Sequence, residues 1–421
     1  MMLAKQLFSH YQSLCIAMIM VFTCFQFYFG VVPGWTEIRS DFPNYYVSSR
    51  LIFEDKDSVN LYDNSWFQES IKSHNIDVKG KFAPFPPPTA FILTPLAIFE
   101  PLQAKRIWLM INIALIFLII RLIKNISGLD KNSSLLLLLC TGVGLANTLM
   151  LGQVYLLLLF SMLLAYQLNQ KSKSVSIGLL LGSGISIKYF PLVFVPSLIH
   201  DRKWKALFSI AFTILTLNFA AAAIFGIQTY VDFFNNVFFQ HLDGNLKDQS
   251  PWSPAFQSWN ALAYNLFQFN AIENPSPWIH SEVLFNCLRY GVVVGVLIFS
   301  SLIISKFKRR KDFFEASIIM CSSMILFLSP AGATYHSLLY ILPFTLLLKL
   351  TGQSQIQSNR HWIVLIACLL LGGILPLAQN KFSIFTDNLL FSFYRLWLNA
   401  IIFVLVSSLL IKYQKKPPLG S

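Results

Sequence analysis

Charged side chains are scarce in this sequence. Only 12% of its 421 residues are Asp, Glu, Lys or Arg, and 55% are apolar, where a soluble domain carries about 25% charged residues. A water-soluble core cannot absorb that much apolar surface, so a soluble globular class is excluded. Acidic residues are scarcer still: 19 Asp and Glu stand against 32 Lys and Arg, a formal charge of +13. The basic residues occur in short clusters between apolar runs, the positive-inside pattern of membrane proteins, which argues against nucleic acid as a partner. The six cysteines (Cys15, Cys24, Cys140, Cys287, Cys321 and Cys368) fall inside apolar stretches and lack the spacing of zinc ligands. The sequence also has no G-x-x-x-x-G-K-[ST] loop for a nucleotide phosphate and no H-E-x-x-H zinc pair, so no cofactor or metal is expected.

What is present is a series of apolar runs, at 11–32, 104–123, 134–150, 153–169, 174–199, 204–226, 283–305, 313–329, 336–350, 361–378 and 390–412. A helix needs roughly 20 largely apolar residues to span a bilayer. The expected fold is therefore an all-α polytopic membrane protein, a single integral membrane domain over residues 1–421 with about 12 transmembrane helices. The run at 11–32 lacks a small-residue cleavage site and reads as an uncleaved first helix. Two long polar connections carry most of the acidic residues: 33–103, with a proline-rich stretch at its end, and 227–282. Lys306, Lys308, Arg309, Arg310 and Lys311, with the tail Lys412, Lys415 and Lys416, mark the inside and place both long loops outside.

The proline-rich stretch from Phe82 to Phe99 cannot be one regular helix, because Pro84, Pro86, Pro87, Pro88 and Pro95 interrupt it. It is expected to be re-entrant or to lie along the outer surface. The topology then requires two passes in 174–199, with a break at Lys188-Tyr189-Phe190-Pro191 that brings Lys188 and the turn Leu151-Gly152-Gln153 to the outer face.

Several residues could carry chemistry, each with a plainer alternative. Asp41 follows the first helix at headgroup depth, where a base acting on a lipid-linked substrate must sit; it could equally cap the helix that follows, Asn44 to Phe53. Lys188 lies in an otherwise apolar run, where an ionisable group is a functional candidate, suited to a phosphate leaving group; the alternative is a lysine snorkelling to the interface. His336, in the break Ser329-Pro330 to Tyr335-His336, could bind a phosphate or be merely solvated. Arg289 could grip a phosphate or mark the interface. Gln257-Ser258-Trp259-Asn260 could bind a sugar, while Trp252, Trp259 and Trp278 fit an interfacial belt equally well.

Taken in order, these segments resemble glycosyltransferase family 87, polytopic bacterial enzymes of the GT-C fold. The D-F-x-x-Y-Y motif is Asp41-Phe42-Pro43-Asn44-Tyr45-Tyr46, and Tyr62 follows in the same loop. Then come Pro86-Pro87-Pro88 to Thr94-Pro95-Leu96, the turn Gly152-Gln153, Gly178 to Gly182 with Lys188 to Pro191, and Ser329-Pro330 with Tyr335-His336 where the family has paired histidines. The resemblance implies an inverting transferase that moves a hexose, mannose first, from a polyprenyl-phosphate sugar donor. The acceptor would be a lipid- or glycan-linked hydroxyl at the outer face of a bacterial cytoplasmic membrane. It implies Asp41 as base, with Lys188, His336 and Arg289 on the donor phosphate. Asn44, Tyr45, Tyr46, Tyr62, Gln153, Tyr335, Gln257, Ser258 and Trp259 would contact substrate. A multi-pass transporter or lipid-linked-sugar flippase is the competing expectation, since broken helices and an intramembrane lysine also suit transport.

Overall fold

The computed structural model describes residues 12–54, 59–242, 250–353, 359–377 and 388–415. Tyr11 in the first expected span, residues 243–249 of the second long loop and Lys416 of the basic tail lie outside them. The described residues are helical, with no strand beyond one isolated bridge between Asn270 and Asn274.

Among the described residues six helices are long and apolar enough to cross a membrane: Ser13–Thr36, Pro101–Ser127, Trp204–Phe225, Glu282–Ser305, Arg360–Leu377 and Tyr394–Gln414. The shortfall against the expected dozen comes from breaks and short helices. The run at 134–150 divides into Lys131–Leu139 and Val143–Leu151, with Gly142 between them at φ +52°, where an added Cβ would meet the Gly373 carbonyl. Tyr155–Asn169 has 15 residues, Ser174–Ile187 has 14 and Phe313–Phe327 has 15. At about 1.5 Å per residue such helices reach only about 21–23 Å, short of the ~30 Å hydrocarbon layer.

The chain forms two compact units. One comprises residues 23–122 and 145–242, the other 1–22, 123–144 and 243–421. In the first, the entering helix takes π pitch at Phe27–Val31. Gly30 and Gly34 lie against Ala146 and Leu149, so closely that a Cβ on Gly34 would fall 2.8 Å from the Leu149 carbonyl oxygen. Phe42–Arg50 then forms a helix buried along nearly its whole length.

The proline-rich stretch folds as two 3₁₀ turns, Pro87–Phe91 and Thr94–Leu96, and forms no membrane-length helix. Prolines leave carbonyls without ladder partners, and side chains supply the donors. Tyr62 Oη donates to Phe85 O (2.7 Å), Tyr46 Oη to Phe99 O (2.7 Å), Arg50 Nη1 to Ala97 O (2.6 Å) and Ser49 Oγ to Ala90 O. The expected break near Lys188 is present: Ser174–Ile187 stops, Lys188 is extended, and a 3₁₀ turn follows at Phe190–Phe194. Gly178 and Gly182 let that helix approach Ser209, Ile210 and Thr213 of Trp204–Phe225 at backbone distance, the small-residue packing typical of membrane helices.

In the second unit, Ala261 and Leu262 of the helix Trp259–Phe267 form a core with Phe393 and Leu396. A largely buried ion pair, Lys349 Nζ to Glu315 Oε1 at 2.8 Å, ties Ile341–Gln353 to Phe313–Phe327.

Candidate functional site

Asp41 occupies the N-cap position of Phe42–Arg50, yet its side chain makes no cap hydrogen bond. The capping alternative therefore fails. Gln153 Nε2 donates to Asp41 Oδ2 at 2.6 Å, and Gln153 Oε1 accepts from Tyr45 Oη at 2.7 Å. Gln153 is 1% exposed, and its amide bridges the Tyr45 hydroxyl and the Asp41 carboxylate. Burial pushes the Asp41 carboxyl above the ordinary carboxylate range; the Gln153 hydrogen bond and the Lys188 charge oppose that rise. The group remains a usable base with raised proton affinity.

The turn that presents Gln153 depends on Gly152. Its φ is +67°, and a Cβ there would meet Phe42 at 2.9 Å. Gly152→Ala is expected to cost about 1–2 kcal/mol for the left-handed backbone alone, plus the displacement of Phe42. A thermal-unfolding midpoint equal to that of the unmodified protein would contradict this requirement.

Lys188 lies in the same unit. Its Nζ donates to Tyr155 Oη at 3.1 Å and stands 4.7 Å from the Phe85 ring centroid and 4.6 Å from that of Tyr155. Phe85 in turn stacks on Tyr45, with centroids 4.9 Å apart. Asp41, Gln153, Tyr45, Phe85 and Lys188 thus form one connected group holding a carboxylate and an ammonium.

Other motif residues hydrogen-bond to the backbone of neighbouring segments. Asn44 Oδ1 accepts from Lys81 N at 2.9 Å, and Tyr46 and Tyr62 spend their hydroxyls on the proline-rich segment. These bonds pack Asn44, Tyr46 and Tyr62 against the proline-rich segment and Lys81 in the unit that holds Asp41.

In the second unit the motif side chains also meet protein groups. The Gln257 amide donates to Pro254 O and Ser392 O, and its oxygen accepts from Arg395 N and Leu396 N. Ser258 caps Trp259–Phe267 through its hydroxyl. Trp259, half-buried, packs edge-on against Phe327 and Trp397. Arg289 Nε donates to Asn260 Oδ1 at 3.0 Å, and its guanidinium lies over Phe285 and Tyr290. Tyr335 and His336 sit in the 3₁₀ segment Thr334–Tyr340, their rings edge to face. His336 lines a cavity with Thr334, Ser337, Arg395 and Asn399.

Two further ionisable residues, which no sequence motif marks, lie near Asp41 and Lys188. Lys105, fully buried in Pro101–Ser127, donates to Glu37 O and Met150 O, both at 2.7 Å. It ties the segment before Asp41 to the residues before Gly152, and the rule that flags an ionisable group in an apolar run would have found it. His241, in the short helix Phe239–Leu242, has a buried Nδ1 with no hydrogen-bond partner among the described residues. Burial and the Lys188 charge push its imidazole down to about 4. No sequence signal marks it, because its position depends on the fold of the long loop.

No curated protein and no solved structure matches the chain. The family model of glycosyltransferase family 87 matches residues 82–330, more than half of the sequence. A carboxylate and an ammonium held in one group suit group transfer, and with that match the chain belongs to glycosyltransferase family 87.

Proposed function

We propose that this glycosyltransferase transfers a hexose, mannose first among candidates, from a polyprenyl-phosphate sugar to a lipid- or glycan-linked hydroxyl. The reaction would take place at the outer face of a bacterial cytoplasmic membrane, within a GT-C architecture of about a dozen membrane segments. The observation that carries the reading is the Asp41 carboxylate, aimed by the Gln153 amide and accompanied by the Lys188 ammonium. Asp41 takes the proton of the acceptor hydroxyl as its oxygen attacks the anomeric carbon. The bond from that carbon to the phosphate oxygen breaks on the opposite face, giving inversion. Polyprenyl phosphate leaves with the bonding pair, and Lys188 stabilises its added negative charge. Membership of a transferase family removes the support for a transporter.

A leaving phosphate is already anionic and can depart against protein cations alone, so the reaction is expected to be metal-independent. Purified protein supplied with a polyprenyl-phospho-mannose and a mannoside acceptor should form the new glycosidic bond at an undiminished rate in excess EDTA. Loss of product that a divalent ion restores would overturn metal independence. Absence of product with every polyprenyl donor would overturn the donor class.

A further inference from the structure

Lys105 is a buried cation beside the proposed base, and the chemistry above leaves it unused. It sits in the second turn of Pro101–Ser127 and is 0% exposed, where an ammonium is costly unless its donors are met. Among the described residues its hydrogen-bond partners are two carbonyls, and both belong to helix ends. Glu37, whose O lies at 2.7 Å, is the C-cap residue of the helix that ends at Thr36. Met150, whose O also lies at 2.7 Å, is in the last turn of Val143–Leu151. The last carbonyls of a helix have no partner within it and carry the negative end of its dipole, so one cation suits both ends. Lys105 Nζ also stands 5.9 Å from the Phe42 ring centroid.

Trp108, three residues on and on the same helix face, continues the contact. It is 4% exposed, and its Nε1 donates to Gly152 O at 3.0 Å. The two side chains therefore hold Glu37 and Phe42, on either side of Asp41, and Met150 and Gly152, which precede Gln153. Those are the two segments that the 2.6 Å bond from Gln153 to Asp41 joins.

We propose that Lys105 and Trp108 are positioning residues of the transfer reaction, clamping the Asp41 segment and the Gly152-Gln153 turn in hydrogen-bond register while the ammonium offsets the two negative helix ends. The proposal rests on Asp41 being the base. Burial raises the Asp41 carboxyl, and the Lys105 charge is among the influences that hold the rise down. The other charges around them are Lys188, which acts on Asp41 in the same sense, and Arg39 and Glu37, which pair with each other at 2.9 Å.

The test reads Asp41 itself, in the full-length protein in detergent micelles. Infrared difference titration follows the carboxyl band that Asp41→Asn removes, and kcat and KM for transfer from polyprenyl-phospho-mannose are measured alongside. Lys105→Met should raise the titration midpoint by about one pH unit, roughly a tenfold gain in proton affinity, because charge and register are lost together. It should also lower kcat by about 10²-fold, the effect of a misplacement of about 1 Å, with little change in KM. An unmoved midpoint in folded Lys105→Met overturns the proposal, since a lysine that serves folding alone lowers stability and leaves the Asp41 titration where it was.

Trp108→Phe keeps the charge and removes the bond to Gly152 O. It should lower kcat by a smaller factor and raise the midpoint by less, because only the grip on the Gln153 turn is weakened. Unchanged kcat and midpoint in this variant remove Trp108 from the clamp and, where Lys105→Met does not fold, overturn the proposal. The titration is independent of turnover. An unmodified protein that transfers nothing from any polyprenyl donor defeats the proposed function, whereas normal transfer with an unmoved Asp41 midpoint in Lys105→Met defeats this proposal alone.

Discussion

Asp41→Asn is expected to lower the rate of sugar transfer by about 10²–10⁴-fold, the usual contribution of a positioned general base. The amide nearly matches the carboxylate in shape, so the fold and donor binding should persist. Folded Asp41→Asn with turnover within tenfold of the unmodified protein would remove Asp41 as the base. The pH profile gives a second reading. A base acts in its deprotonated form, and burial raises the Asp41 carboxyl above the ordinary carboxylate range. Activity should therefore be full above that raised pKa and fall as the pH drops through it. Gln153 donates to the charged form at 2.6 Å and thereby favours it. Gln153→Leu should shift the acid limb to higher pH, a displacement that simple loss of stability would not produce.

The membrane class, the break at Lys188 and the importance of the turn Gly152-Gln153 were all legible in the sequence. Hydropathy marks spans, proline ends helices, and the turn Gly152-Gln153 follows from the count of passes and from the resemblance. The division of labour within D-F-x-x-Y-Y was not legible. Asp41 and Tyr45 face Gln153, whereas Asn44 and Tyr46 face Lys81 N and Phe99 O, and only the path of the proline-rich segment decides which carbonyls need donors. The surroundings of Gln257 were hidden for the same reason: besides Pro254 O, its amide meets backbone from residues more than 130 positions away. Helix length is the other gap. Hydropathy reports apolar composition over 313–329 or 174–187, but where the helical ladder stops depends on packing and on residues such as Gly142 and Pro191.

Lys188→Met should lower kcat by about 10²–10³-fold, the size of effect seen when one preorganised charge-stabilising group is lost, with a smaller change in KM. In the proposed reaction the donor phosphate would be a diester with one negative charge, and departure would turn it into a monoester with a second. The attraction to a nearby ammonium therefore grows along the reaction, and an interaction that strengthens toward the transition state appears in kcat. A snorkelling lysine would behave differently, since its removal would change insertion or stability and leave the chemical step alone. Lys188→Arg separates charge from shape. The ammonium sits between the Phe85 and Tyr155 rings at 4.7 and 4.6 Å, and a planar guanidinium is too broad for that position without moving a ring that stacks on Tyr45. Arginine should therefore restore only part of the lost rate despite its full charge, and complete restoration would reduce Lys188 to a general positive potential.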